Sequence, residues 1–204
     1  MSKKTEAELL KEQLMMTRKH GIYQLDEDKV KEADEFCEPY KKFLNKCKTE
    51  REVVAHTIKQ AKKAGFTEFD VHKKYKPGDK VYVNNRNKAL LLAVIGKNRS
   101  KNGVRIAAAH IDSPRLDLKP NPLYEANELG MFKTHYYGGI KKYQWPAIPL
   151  SLHGKVIRKD GTSVEINLGE EDDDPCFCVT DLLPHLASEQ MGKTMAKGFT
   201  GEDL

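Results

Sequence analysis

The residues whose types and spacing suit chemistry best lie in the run Ala107-Ala-Ala-His-Ile-Asp-Ser-Pro114. In an extended segment, residues two apart stand on the same side of the backbone, so His110 and Asp112 project together. A neutral imidazole is a good ligand for a divalent metal. A carboxylate beside it accepts the other ring N–H and fixes the tautomer, or steers a metal-bound water. The small residues ahead of His110 leave room for close packing. Alone, His-x-Asp is common and more often marks a histidine satisfied at a strand end. Cys176-x-Cys178 looks like half a metal site, but no second half accompanies it, and it reads as a pair of ordinary strand cysteines. His20, His56 and His72 have no context that raises them above background.

The elements that must carry His110 follow from periodicity. Thr5 with Glu8 forms a capping-box pattern. Ala7, Leu10 and Leu14 then recur at helical spacing towards a stop at Gly21. A second helix starts at Asp26, with an apolar stripe of Val30, Ala33, Phe36, Tyr40, Phe43 and Cys47, and Pro39 should kink or end it. A third starts at Thr49 with Glu52 as its box partner, faces Val54, Ile58 and Ala61 inward and stops at Gly65. The period then changes: Lys80 to Asn84 alternates as a strand, Asn84 to Asn87 is a turn, and Lys88 to Ile95 is a continuous apolar run. Val104 to Ala109 is another such run, ending at His110. Continuous apolar strands among helices predict an α/β fold whose sheet is covered on both faces, with the chemistry at strand ends.

Beyond His110 the texture becomes β-rich and is punctuated by Pro114, Pro120, Pro122, Pro146, Pro149 and Gly138-Gly139. Leu150 to Ile157 and Val164 to Leu168 flank Asp160-Gly161 as a hairpin. Glu170 to Asp174 is an acidic turn, and Asp181 to Glu189 reads as a short helix. These changes divide the chain near Ser113: residues 1–112 as helices plus a mixed sheet, residues 113–204 as a β-rich unit.

Bulk properties narrow the class. Lysines and arginines number 35 against 30 acids, a net charge of +5. That excess is small, and Lys59, Lys62, Lys63, Lys73, Lys74, Lys76 and Lys80 read as a solvated face. No nucleic-acid motif or interleaved aromatic accompanies them, so no nucleic-acid partner is expected. No apolar run reaches the roughly 18 residues that would cross a bilayer, so no membrane partner is expected either. The start, MSKKTEAELL, lacks the apolar core of a signal peptide, and four cysteines are few. A reducing, cytoplasmic setting fits.

The long motifs carry a sharper reading. His110-Ile-Asp-Ser-Pro-Arg-Leu-Asp-Leu-Lys-Pro-Asn-Pro-Leu-Tyr124 resembles the signature of the aspartyl aminopeptidases, the family that includes vacuolar aminopeptidase I. The match continues through Lys133-Thr-His-Tyr-Tyr-Gly-Gly-Ile-Lys-Lys-Tyr-Gln-Trp145 and Ile148-Pro-Leu-Ser-Leu-His-Gly154, and closes in Asp181-Leu-Leu-Pro-His-Leu-Ala187. Several such motifs in order are far more specific than His-x-Asp alone.

The resemblance implies a two-zinc metalloaminopeptidase, with manganese or cobalt as replacements. Its metals would polarise the scissile carbonyl and activate a water. His110 would ligate one metal, and Asp112 would be the catalytic carboxylate orienting it. Residues 113–204 would be the first part of an inserted, β-rich oligomerisation domain. In the family, this insert brings a histidine to a neighbouring subunit's site within a large symmetric homo-oligomer, and His185 matches that position. His135 and His153 would be structural, in strands of the insert. Substrates would be peptides, with acidic first residues favoured by family analogy.

The remaining implied ligands are a bridging aspartate, a Glu-Glu pair, another aspartate and a final histidine. They would follow the insert and are not within these 204 residues. Gly169-Glu-Glu171 imitates the glutamate pair but lies beside a hairpin in an acidic turn, the wrong place. The expectation is a truncated N-terminal portion, inactive alone. The alternative is a non-catalytic subunit that co-assembles with a full-length homologue.

Overall fold

The computed structural model describes residues 4–16, 18–98 and 102–204. The chain divides into two compact units, residues 1–46 and 47–204. In the first, helix α1 (Glu6–Leu14) begins with the expected capping box, Thr5 accepting from the Glu8 N–H while Glu8 accepts from the Thr5 N–H. It ends at Leu14 rather than continuing towards Gly21, and Gly21–Gln24 is instead a 3-10 turn. Helix α2 (Glu27–Lys46) is capped by Asp26, whose carboxylate accepts from the Lys29 N–H at 2.8 Å.

Pro39 neither stops nor splits α2. Its cost is local, one absent N–H bond to the preceding turn, and residues before and after it stay helical. The apolar stripe is present as read but is covered only in part: Phe36 is 80% exposed and Tyr40 is exposed, while Cys47 at its end is buried.

The second unit begins with helix α3 (Glu50–Lys63), where the Thr49–Glu52 capping box is complete. Its inward residues are Val54, 1% exposed, and Ala61, also buried. The helix closes as a Schellman motif: Phe66 N–H donates to the Ala61 carbonyl and Gly65 N–H to that of Lys62, with Gly65 at φ +86°. Glycine is required there because other residues pay for a left-handed backbone. Strands β1 (Thr67–Glu68), β2 (Lys80–Asn85) and β3 (Ala89–Val94) form one small sheet, β1 parallel to β2 and β2 antiparallel to β3. Arg86 and Asn87 both take φ 57° at the β2–β3 turn, where turn chemistry was expected.

Two expected buried strands come out differently. The run at Ala89 exists as β3, yet Leu91, Leu92 and Val94 are exposed. Residues 104–109 form no strand at all: the segment is exposed along its length, with Ile106 81% exposed. The reason is common to both. An apolar strand is buried by strands beside it and helices over its faces, and among the described residues no strand pairs with 104–109 and little covers β3. Burial is sparse throughout. Among the described residues, the buried ones are Cys47, Val54, Ala61, Val81, Tyr82, Ala187 and Leu204. The accessible surface, 18001 Å² for a 23.2 kDa chain, is nearly twice the roughly 9,700 Å² of a self-contained monomer of that mass.

The β-rich region contains two hairpins. Strands β4 (Arg115–Ala126) and β5 (Leu129–Tyr137) pair antiparallel across a two-residue turn, Asn127-Glu128, with both φ values positive. The ladder slips between Leu118 and Leu123, around Pro120 and Pro122, which have no N–H to give it. Strands β6 (Leu152–Ile157) and β7 (Ser163–Leu168) form the hairpin read from the sequence, with Gly161 at φ +82° in the Asp-Gly turn.

The helix expected over Asp181 to Glu189 shrinks to one turn, α4 (Ser188–Met191). Pro184 biases the residue before it out of helical backbone. A further single turn, α5 (Met195–Gly198), follows. No helix among the described residues is long and apolar enough to cross a membrane.

Candidate functional site

His110 and Asp112 lie in the segment 103–114, which has no regular secondary structure and leads into β4. His110 Nδ1 lies 3.2 Å from Asp112 Oδ1 and 3.0 Å from the Asp112 carbonyl oxygen. Both neighbours are acceptors, so Nδ1 carries the proton and donates. The neutral ring therefore keeps its lone pair on Nε2, and the side chain, 84% exposed, presents that nitrogen to solvent.

The carboxylate is itself held from the other side. Tyr137 Oη donates to Asp112 Oδ2 at 2.6 Å. That bond is the largest of the influences keeping the Asp112 carboxyl below its usual range, and it raises the Tyr137 phenol in turn.

Strand pairing explains why Tyr137 is there. Tyr137 sits directly opposite Arg115 in the β4–β5 ladder, so the two side chains share a face. The Arg115 guanidinium lies 4.1 Å from the centre of the Tyr137 ring. Arg115 Nε also donates to Asp117 Oδ1 at 2.8 Å, and its Nη1 reaches Glu50 Oε1, on the first turn of α3, at 3.2 Å. After β5 the chain turns through Gly138 at φ +87°, where an added Cβ would meet Pro114, just past Asp112. A continuous line of contacts thus runs from α3 through Glu50, Arg115, Tyr137 and Asp112 to His110.

Sequence reasoning found one end of this line, His110 with Asp112, and missed the rest. Arg115 lies in the quoted motifs, as does Tyr137, but only the strand register places them face to face.

His153, read as structural, occupies a second cluster. Its side chain is 7% exposed. Nδ1 lies 2.8 Å from Glu52 Oε1, and Nε2 lies 2.9 Å from Glu170 Oε1 and 3.0 Å from Ser151 Oγ. A doubly protonated ring donates to both carboxylates. A neutral ring serves one and takes a hydroxyl proton on the other nitrogen. Burial acts against the Glu52 charge, but donation from His153 and from the N–H groups of Lys48 and Thr49 outweighs it, leaving Glu52 below its ordinary value. His153 and then Ser151 lower Glu170 likewise. Glu52 therefore caps α3 and ties that helix to β6.

His185 is exposed in the turn at 184–186 and makes no hydrogen bond to the His110 group. Cys176 and Cys178 are exposed thiols. No group of three or more His, Cys, Asp or Glu side chains among the described residues could hold a metal ion. The residues present thus fit one coordination position, Nε2 of His110, and not a whole metal site. Zinc, where it binds, needs donors beyond these.

Comparison with known proteins places this geometry in a family. The family described as aminopeptidase I zinc metalloprotease (M18) matches residues 43–199. A probable M18 family aminopeptidase 1 of Clostridium acetobutylicum is 50% identical over 195 residues, covering 94% of this chain and 42% of the relative. The crystal structure of an M18 aminopeptidase from Thermotoga maritima superposes with a TM-score of 0.84 at 39% identity, over 93% of this chain and 41% of that one. The mApe1 dodecamer of S. cerevisiae, at 22% identity and a TM-score of 0.62 over 74% of this chain and 36% of that one, shares the fold. The chain spans about two-fifths of the length of the relatives it matches. With the family matched across most of its residues, the chain belongs to the M18 aminopeptidases, the aminopeptidase I zinc metalloproteases.

Proposed function

We propose that this chain is the N-terminal portion of a zinc-dependent metalloaminopeptidase and carries one metal donor with its orienting carboxylate. The observation that supports this most is the His110–Asp112 pair: Nδ1 is committed to Asp112 and Nε2 is left open. When bound, zinc would polarise a peptide carbonyl and acidify a water. This chain's own residues do less. Asp112 fixes the tautomer and direction of His110, and no carboxylate pair of the general-base kind stands beside them. The chain alone is therefore inactive towards peptides. In the complete enzyme, two metal ions, with manganese or cobalt as substitutes, would serve substrates with a free N-terminus, acidic first residues among them. The setting proposed is cytoplasmic.

Residues 113–204 are proposed as the first part of an inserted oligomerisation domain in a large symmetric assembly, with His185 offered to a neighbouring subunit's site. A dodecameric relative of the same fold supports an assembly of that kind. Hydrolysis of aspartyl and glutamyl peptides by the isolated chain, with zinc, manganese or cobalt added, tests the proposal. No turnover is expected. Metal-dependent turnover lost on His110→Ala would contradict it.

One further observation favours co-assembly with a full-length homologue as a non-catalytic subunit. The chain exposes nearly twice the surface of a self-contained monomer, and its segment 104–109 has no strand beside it among the described residues. Unpaired apolar strands recruit other chains. Size-exclusion chromatography with light scattering should give aggregates alone and a defined complex with the homologue. A monodisperse monomer with one cooperative thermal transition would contradict both readings.

A further inference from the structure

We propose that Tyr137 is a positioning residue for metal binding: its hydroxyl holds Asp112 in the one orientation that turns the His110 Nε2 lone pair outward. The ligand side of the inference rests on the metalloaminopeptidase reading, because a divalent cation is what the open nitrogen would meet. The geometric side rests on contacts alone.

The Asp112 side chain has two oxygens and two partners. Oδ2 accepts from Tyr137 at 2.6 Å, and Oδ1 faces His110 Nδ1 at 3.2 Å. The first contact is the shorter, and the side chain that makes it is the better anchored. Tyr137 is stacked under Arg115 at 4.1 Å, and Arg115 is fixed in turn by Asp117 at 2.8 Å and by Glu50 at 3.2 Å. His110 has no such support. Its side chain is exposed, and its ring bonds only within the Asp112 residue.

Orientation therefore passes one way, from the β4–β5 ladder through Tyr137 to Asp112 and then to His110. Without the phenol, Asp112 is free to rotate about its own side-chain bonds. Its Oδ1 then leaves Nδ1, which keeps only the Asp112 carbonyl oxygen at 3.0 Å, and the exposed ring samples its second neutral tautomer more. In that tautomer the proton sits on Nε2 and blocks the donor atom. Carboxylates that hold a ligating histidine are commonly worth 10–100-fold in metal affinity or activity. Here the same role is moved one residue further back.

The test reads the ring directly by solid-state magnetic resonance, which tolerates self-association, in the metal-free full chain labelled with nitrogen-15. Long-range proton–nitrogen correlation at about pH 8.5 should show His110 as a single tautomer, protonated at Nδ1. Tyr137→Phe keeps the ring beneath Arg115 and removes only the hydroxyl. The two His110 nitrogen shifts should then converge as both tautomers are sampled. Shifts unchanged from the parent, with cross-strand β4–β5 contacts intact, overturn the proposal.

A second measurement does not depend on Tyr137→Phe, should that variant lose the hairpin. In the parent chain the Tyr137 phenolic proton should show cross-relaxation to the Asp112 β-protons, and Asp112→Asn should weaken or abolish it. No such proton in the parent also overturns the proposal. The peptidase reading is decided by hydrolysis instead, so the two fail separately.

Discussion

Glu52 is the residue on which the second unit should depend most. It accepts from the Lys48 N–H at 2.9 Å, the Thr49 N–H at 2.8 Å and the Thr49 hydroxyl at 3.1 Å, and it faces His153 Nδ1 at 2.8 Å. Glu52→Ala removes one half of the capping box, worth about 1 kcal/mol. It also strands a buried imidazole, and a hydrogen bond to a charged group is worth about 1.5–3 kcal/mol. The partly exposed carboxylate keeps that second contribution near its lower end, so the sum is about 2.5 kcal/mol.

Hydrogen exchange is the suitable assay because it reads local opening where burial is thin. The Val53 amide, which donates to the Thr49 carbonyl at 3.0 Å, should exchange about 60-fold faster, since 1.4 kcal/mol is about tenfold. Thr49→Ala, which leaves His153 its partner, should accelerate it only about fivefold. Equal effects from the two variants, or less than a threefold change in Glu52→Ala, would refute the coupling of helix cap to hairpin.

Further outcomes follow from other contacts. Glu52 and Glu170 both sit below their ordinary value of 4.5 when folded. Their contribution is therefore full above about pH 4.5 and is lost as pH falls through the folded values. Val53 protection should drop on acidification below 4.5, and Glu170→Gln should flatten that drop. Gly138→Ala forces a left-handed backbone on a residue with a side chain, a cost of about 1–2 kcal/mol, and should loosen the β4–β5 amides nearest Pro114. Ile106→Asp, at a position 81% exposed, should change the stability of the isolated chain by less than about 0.5 kcal/mol yet prevent co-purification with a full-length homologue. In a complete enzyme carrying this segment, Asp112→Asn should retain more metal than activity, and His110→Ala should lose both, as metal content measured beside rate would show.

What was legible in the sequence was local. The capping boxes at Thr5 and Thr49, the Gly65 stop and the Asp160-Gly161 hairpin rest on contacts within a few residues, and each forms as read. Of the two outcomes read for Pro39, a kink or an end, the end does not occur, because losing one backbone bond does not stop a helix that continues on both sides. Pro120 and Pro122 read as breaks, but the strand absorbs them as a register slip. The apolar runs at β3 and at 104–109 carry the pattern of buried strands, and that pattern is a statement about neighbours. Among the described residues those neighbours are missing, so the composition is right and the burial is not. At the site, His110 and Asp112 were readable because two residues in one segment decide their relation. Tyr137 and Glu50 were not, because strand register and a helix packed near β4 bring them there.

The central claim is that this chain supplies one metal donor and not a metal site. Elemental analysis of the purified chain, loaded with excess zinc and passed through gel filtration, tests it most directly. The expected result is far less than one ion retained per chain, unchanged by His110→Ala. One or two ions retained per chain and lost with His110→Ala would contradict it.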